Sequence, residues 1–360
     1  MSDSLLIRSP NDALGHPLLE SLREGAPRWN HVNDWPAEAL CACADAGVFR
    51  WFLPPESGGL GWSDEDQTRG YLLLSAADLT TTFIITQLMG SIRRIAGSEN
   101  PAPATRWLEK LVSGEAFGTV GISHLTTSRR HLAKPVLQAS ENSDGYVLDG
   151  MSPWVTGAPY GDVYVVGATL EDGRELLAAV PRSLDGVDPF PGTELVALSA
   201  SCTDKLVFKQ VQIDESMLIA GPIENVMQTG TGAGTGGLQT STLAIGLANA
   251  AVDFLIHEAL KRPDLQKIAD EMQSEVLSLE NDLLRAAAGD ATCDAADIRG
   301  RANRMVLRST QAALTAAKGA GYVQGHPVGK WCREALFFLV WSCPQPVTQA
   351  YLCELAGIQE

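Results

Sequence analysis

Hydrophobic periodicity changes twice along this 360-residue chain, and that change constrains the fold more than any single motif. Apolar residues recur at helical spacing through the first third. They then alternate with period two between Phe117 and Ile213, and return to helical spacing from Leu238 onward. The spacing predicts helices over residues 36–49, 64–77, 80–96 and 105–113, preceded by a first helix or a loose end up to Arg28. Strands are predicted at 145–150, 162–168, 175–180 and 205–213, separated by turn signals such as Asn142-Ser143-Asp144-Gly145. Four further helices are predicted at 238–261, 264–288, 294–318 and 328–355, punctuated by Pro263 and Pro327. The expected fold class is α+β and multi-domain. It comprises an N-terminal helical domain (1–116), a middle antiparallel β-barrel or sandwich (117–222) and a C-terminal four-helix bundle (223–360).

A formal charge of −16 argues against nucleic acid or an anionic membrane surface as the main partner. The longest uninterrupted apolar run, 335–341, is far short of a membrane span. No basic region followed by an apolar one is visible near Met1, so a cytoplasmic protein with reduced thiols is expected. The seven cysteines include no C-x-x-C pair, and the histidines show no metal-ligand spacing, so no metal site is expected. The acids of 264–282 alternate with Leu265, Ile268, Met272, Val276, Leu279 and Leu283, which reads as a solvated face opposite a core stripe.

Three segments occur in a fixed order: Pro54-Pro55-Glu56-Ser57-Gly58-Gly59-Leu60-Gly61, then Trp154-Val155-Thr156-Gly157, then His326-Pro327-Val328-Gly329-Lys330-Trp331-Cys332-Arg333-Glu334-Ala335. From about Asp34 to the C-terminus this layout resembles the acyl-CoA dehydrogenase family. The resemblance implies an FAD-dependent oxidoreductase acting on an acyl-CoA-like substrate, assembled as a homodimer or homotetramer. It places Ile122 and Ser123 on a strand and loop that contact the flavin. It places Trp154 and Thr156 on a later strand, the indole as a flat apolar wall and the hydroxyl as a partner for the flavin's polar edge. Trp154 read alone is more often an ordinary core aromatic, and the ordered signature turns that reading toward the flavin. Arg262 matches an arginine that reaches the FAD of a neighbouring subunit, and Gly319 opens a glycine turn that meets the same FAD.

The resemblance also exposes departures. His124 replaces the family's acid after Ser123, and Arg129 and Arg130 stand where a small turn is usual. These arginines either hold a phosphate or lie on a solvated loop. Gly232, Gly234 and Gly237 form a G-x-G-x-x-G that lacks a βαβ setting, so it reads as a loop feeding a helix. Gly237 falls at the family's substrate-facing arginine, and Gly236 at an alternative position for its catalytic glutamate. Ser342-Cys343-Pro344 takes the place of Glu-Gly-Thr, whose glutamate removes the α-proton of the substrate. A positioned base is worth about 10²–10⁴ in rate, and a neutral serine hydroxyl does not replace it. A flavin hydroxylase or monooxygenase of the same fold, or a non-catalytic binding subunit, therefore stands beside the dehydrogenase reading.

Overall fold

The computed structural model describes residues 6–126, 136–228, 237–341 and 345–358. The N-terminal part contains α1 (Pro10–Ala13), α2 (Pro17–Gly25), α3 (Ala37–Asp45), α4 (Asp64–Ala77), α5 (Leu79–Ala96) and α6 (Pro101–Ser113). Local chemistry sets these boundaries. Ser63 caps α4 by accepting from the Asp66 N–H, with Asp64, Glu65 and Asp66 in its positive first turn. Asp78 caps α5, and Asn100 caps α6 with Pro101 at its first position. Of the two readings left open for the first residues, a helix or a loose end, the helical one holds, as the two helices α1 and α2. Between α3 and α4, the Pro54–Gly61 loop folds back so that the Leu60 N–H reaches the Arg50 carbonyl and that of Gly61 reaches Leu53. A Cβ on Gly59 would lie 1.9 Å from the Leu53 oxygen, so only glycine fits there.

The middle part holds β1 (Gly118–Gly121), the short α7 (Ser123–Thr126), β2 (Leu137–Asn142), β3 (Gly145–Val155), β4 (Val163–Thr169), β5 (Glu175–Pro181), β6 (Val187–Pro189), β7 (Asp204–Ile213) and β8 (Leu218–Ile223). The strands run in the order β6-β7-β3-β2-β4-β5-β8, with β1 paired to β4. This corrects the expectation of a purely antiparallel sheet, because β1 runs parallel to β4, Val120 opposite Val165. Strand β4 is buried on both faces. Val163 and Val165 join the helical core, while Tyr164, Val166 and Ala168 fill the interior of the β layer. That explains its near-continuous apolar run.

The C-terminal part holds α8 (Leu238–Ala259), α9 (Gln266–Ala287), α10 (Ala295–Gly321), α11 (Pro327–Ala335) and α12 (Gln345–Ala356). Helix α8 is apolar enough by length and composition to cross a membrane, yet 72% of that window is buried in the protein. It packs on α9, α10 and α4. A Cβ on Gly246 would meet the Leu72 carbonyl oxygen at 2.7 Å, and Ser75 Oγ donates to the Leu243 carbonyl, so α4 and α8 approach at backbone distance. The single helix expected over 328–355 is broken. Helix α11 tightens into a 3₁₀ turn at Leu336–Leu339, and α12 begins only at Gln345. Proline at 344 is compatible with a helix starting after it but not with one running through it. The acids of α9 are also more engaged than expected. Glu275 pairs with Arg308 and Asp282 with Arg301, both across to α10, while Ile268 of the expected core stripe is exposed.

A buried ionic cluster joins the two ends of the chain. Lys330 Nζ lies 3.4 Å from Asp78 and 3.6 Å from Glu334, and donates to the Ala26 carbonyl at 2.6 Å. Thr80 Oγ1 donates to Glu334 at 3.1 Å. Burial pushes the Glu334 carboxyl upward, against the pull of Lys330. Burial pulls the Lys330 ammonium down, but Glu334 and Asp78 more than offset it and the net shift is upward. Lys330→Met leaves two buried carboxylates without their cation and is expected to cost about 3–5 kcal/mol in urea unfolding. Glu334 keeps its proton to higher pH folded than unfolded. Its contribution is therefore full below the ordinary value of 4.5 and declines as pH rises through the raised native value. Glu334→Gln should flatten that part of the Tm–pH profile.

Candidate functional site

Strand β1 delivers Ile122, Ser123 and α7 to one end of the β layer. Ile122 is buried against the helical core, whereas Ser123 Oγ donates to the Pro153 carbonyl at 2.9 Å and ties α7 to β3 just before Trp154. His124 anchors α7 from the other side. Its Nε2 is 2.8 Å from the Gly167 carbonyl on β4, and burial holds the imidazole below its ordinary pKa, opposed by that carbonyl. The neutral ring therefore donates through Nε2.

Trp154 sits where the β3–β7 register shifts between Ser152 and Val155, with φ at +58°. A bulky residue in that region is strained by about 1–3 kcal/mol, and the bulge turns the indole outward, leaving it 57% exposed. The reading as a core aromatic is thereby set aside. Thr156 is placed differently from its neighbour. It is buried, its Oγ1 is 3.0 Å from Thr203 Oγ1, and Thr203 in turn meets Ser201 at 2.8 Å. This hydroxyl chain clamps the end of β3 onto the 3₁₀ turn Ser199–Ser201.

A second group forms at the end of the bundle. Arg262 Nη1 donates to the Ala316 carbonyl at 2.6 Å, and Nη2 lies 3.7 Å from Asp264. Two residues beyond Ala316, Lys318 adopts φ +56° and ψ −146°, a conformation that suits glycine, and kinks α10. Gly319 follows, with nothing within 4 Å of where a Cβ would stand. Leu260, Tyr322 and Val323 are all exposed on the same chain ends. Among the described residues no hydrogen bond or ion pair joins this group to the Trp154 group within one chain. Gly237 caps α8 without a side-chain bond and is open around its Cβ position. Arg129, Arg130, Gly236 and Ser342 lie outside the described residues.

The motifs missed two features. Arg299 is buried in α10 and its Nη2 donates to the Phe338 and Trp341 carbonyls at 3.0 and 2.9 Å, which fixes the chain entering position 342. Phe83, Phe337 and Trp341 pack as an aromatic trio there, Phe337 and Trp341 stacked at 5.0 Å. An arginine amid the apolar residues of α10 was a visible signal, but its partners lie some forty residues downstream.

No family model matches the sequence. A probable acyl-CoA dehydrogenase, YngJ of Bacillus subtilis strain 168, is 24% identical over 342 residues, covering 87% of this chain and 88% of that protein. Nineteen curated proteins match in the same way, isovaleryl- and glutaryl-CoA dehydrogenases among them. Over most of its length the chain is similar in sequence to acyl-CoA dehydrogenases. Its fold agrees. Butyryl-CoA dehydrogenase from Megasphaera elsdenii superposes with a TM-score of 0.77 at 18% identity, covering 98% of each chain. TdsC from Paenibacillus sp. A11-2, solved with FMN and indole, superposes at 0.78 and 16% identity, covering 97% of this chain and 96% of that one. Within this acyl-CoA dehydrogenase fold, removing Arg299 should loosen the turn ahead of position 342. Charge-assisted bonds of this kind contribute about 1.5–3 kcal/mol each, so Arg299→Met is expected to lower unfolding free energy by at least about 1.5 kcal/mol in a denaturant titration.

Proposed function

We propose that the protein is an FAD-dependent oxidoreductase acting on an acyl-thioester-like substrate at a CH–CH bond. The observation that carries this reading is Trp154, a bulky residue held at positive φ so that its indole faces outward. Such strain persists where the surroundings impose it and clusters at ligand clamps. A flat exposed indole suits a planar ring system, and the open Gly319 position gives a second surface on which a backbone could approach a cofactor closely. FAD, when bound, supplies the acceptor for a hydride leaving the substrate.

The chain's own residues position the parts. Ser123 spends its proton on the Pro153 carbonyl and keeps its lone pairs for a donor on the ligand. Thr156 holds the end of β3 through Thr203. Arg262 and Gly319 would meet the FAD of a second copy, as the family segments they match do. A homodimer or homotetramer in a cytoplasmic setting belongs to the same proposal.

The absence of an acid at positions 342, 236 and 237 favours a second reading, a flavin-dependent hydroxylase or monooxygenase. That chemistry consumes molecular oxygen and an external reductant and requires no α-proton base at Ser342. Anaerobic titration separates the two. Bleaching of the oxidised flavin band by an acyl-CoA supports dehydrogenation, whereas turnover only with oxygen and a reductase supports oxygenation. A purified protein with no flavin band and no FAD binding by calorimetry would overturn both, leaving the non-catalytic subunit. Trp154→Gly is expected to relieve the strained φ and leave Tm within a few degrees of wild type or above it, while FAD affinity falls at least about tenfold.

A further inference from the structure

We infer that His124 is a positioning residue for the segment that contacts the flavin, and that it holds α7 on the β layer only as the neutral imidazole, so that a proton taken up from solvent releases α7. This deepens the flavin reading and rests on Ser123 as a cofactor contact.

Three contacts dock α7. Ser123 Oγ donates to the Pro153 carbonyl, and His124 Nε2 lies 2.8 Å from the Gly167 carbonyl. Leu125 is buried over Gly167, where a Cβ would meet its Cδ1 at 2.3 Å. A carbonyl only accepts, so Nε2 carries the hydrogen and Nδ1 of the neutral ring keeps its lone pair. That Nδ1 is buried and has no hydrogen-bond partner. At His16 and His326 the same atom is used, accepting from the Leu18 and Val328 N–H groups. For a neutral His124 the cost is one unused acceptor. In the imidazolium both nitrogens are donors, and the new Nδ1–H would be a buried donor with no acceptor on a buried charge. The proton is taken up more readily once α7 has left its seat and the ring meets water.

No neighbouring acid relieves this. Strand β1 has no ionisable side chain, and Tyr164, the one on β4, donates its hydroxyl hydrogen to the Ala158 carbonyl. Those of β3 are Tyr146 and Asp149, and Asp149 is exposed and bonded by Gln210. Glu175 of β5 accepts from the Val226 N–H. Along the chain no Asp or Glu occurs between Glu115 and Glu141. Burial holds the imidazole below its ordinary value of 6.5, and only the Gly167 carbonyl opposes it. Docking of α7 is therefore at full strength above 6.5, weakens as pH falls below that value, and is lost as pH falls through the lower docked value.

The test follows hydrogen exchange of backbone amides 119–126 by mass spectrometry between pH 7.5 and 5.5, corrected for the intrinsic pH dependence of exchange. Wild type is compared with His124→Gln, whose side chain keeps an N–H donor near the place of Nε2 and does not titrate in this range. Opening of this segment in wild type should rise by up to about tenfold, the factor gained by protonating a released imidazole of ordinary pKa. In His124→Gln it should stay flat. FAD affinity should weaken in step in wild type and stay constant with pH in the variant. Nitrogen NMR should find the ring protonated at Nε2 and titrating below 6.5. Equal pH dependence in the two proteins, no rise in wild type, or a ring that protonates at 6.5 or above with 119–126 still protected would each overturn the assignment. Should His124→Gln not fold, the wild-type exchange and ring titration decide. A protein that binds no FAD at any pH yet opens in acid would sink the flavin reading and leave the role of His124 standing.

Discussion

The contact on which the arrangement of the helical layers depends is a lysine ammonium held between two carboxylates that are remote in sequence. Asp78 ends the loop between α4 and α5 and caps α5, while Lys330 and Glu334 occupy successive turns of α11. Taking three ionisable groups out of water is costly, and their attraction offsets that cost only if every remaining donor and acceptor is used. Here they are used. The ammonium also reaches the Ala26 carbonyl, Asp78 accepts from the Thr81 N–H, and Thr80 closes on Glu334. The geometry specifies one docking of α11 on the first third of the chain. It thereby sets where α10 and the turn at Leu336–Leu339 must run.

That docking fixes the setting of the candidate site. Arg299 holds the carbonyls that follow α11, so position 342 is approached from a turn anchored at both sides. On the β side, the parallel pairing of β1 with β4 sends the chain directly into α7, where Ser123 and His124 fasten to Pro153 and Gly167. Rigid supports of this kind hold Trp154 at positive φ. The strain is local and the over-determination is distributed, which is how functional sites keep unfavourable backbone conformations.

Much of this was legible in the sequence, and the remainder was illegible for identifiable reasons. Helix α4 matches its periodicity from end to end because its cap, acidic first turn and apolar stripe all agree. Strands β4 and β5 were readable as apolar runs bounded by turns. The break after Ala335 was not, because 335–341 is apolar at a spacing that also suits a helix, and the competing signal at Pro344 comes only afterwards. The parallel β1 was invisible because strand direction depends on a crossover and leaves no mark on alternation. In the site, Trp154 was found through an ordered motif, but its outward turn comes from a bulge that local sequence does not encode. Thr156 illustrates the converse. The motif picked the residue, while only the fold reveals that its hydroxyl is occupied by Thr203.

Among the buried cations, which also include Arg299, Lys330 and Arg94 are held in contrasting ways. Lys330 in the helical interior has two acids and a carbonyl. Arg94 at the junction with the β layer has a carbonyl and a second cation close by. Both lie in the same chain at similar burial, so the same penalty applies to each. Arg94 meets that penalty through the Gly90 carbonyl and its place in the last turn of α5, at the negative end of the helix, so one buried cation is held by backbone dipoles and the other by carboxylates.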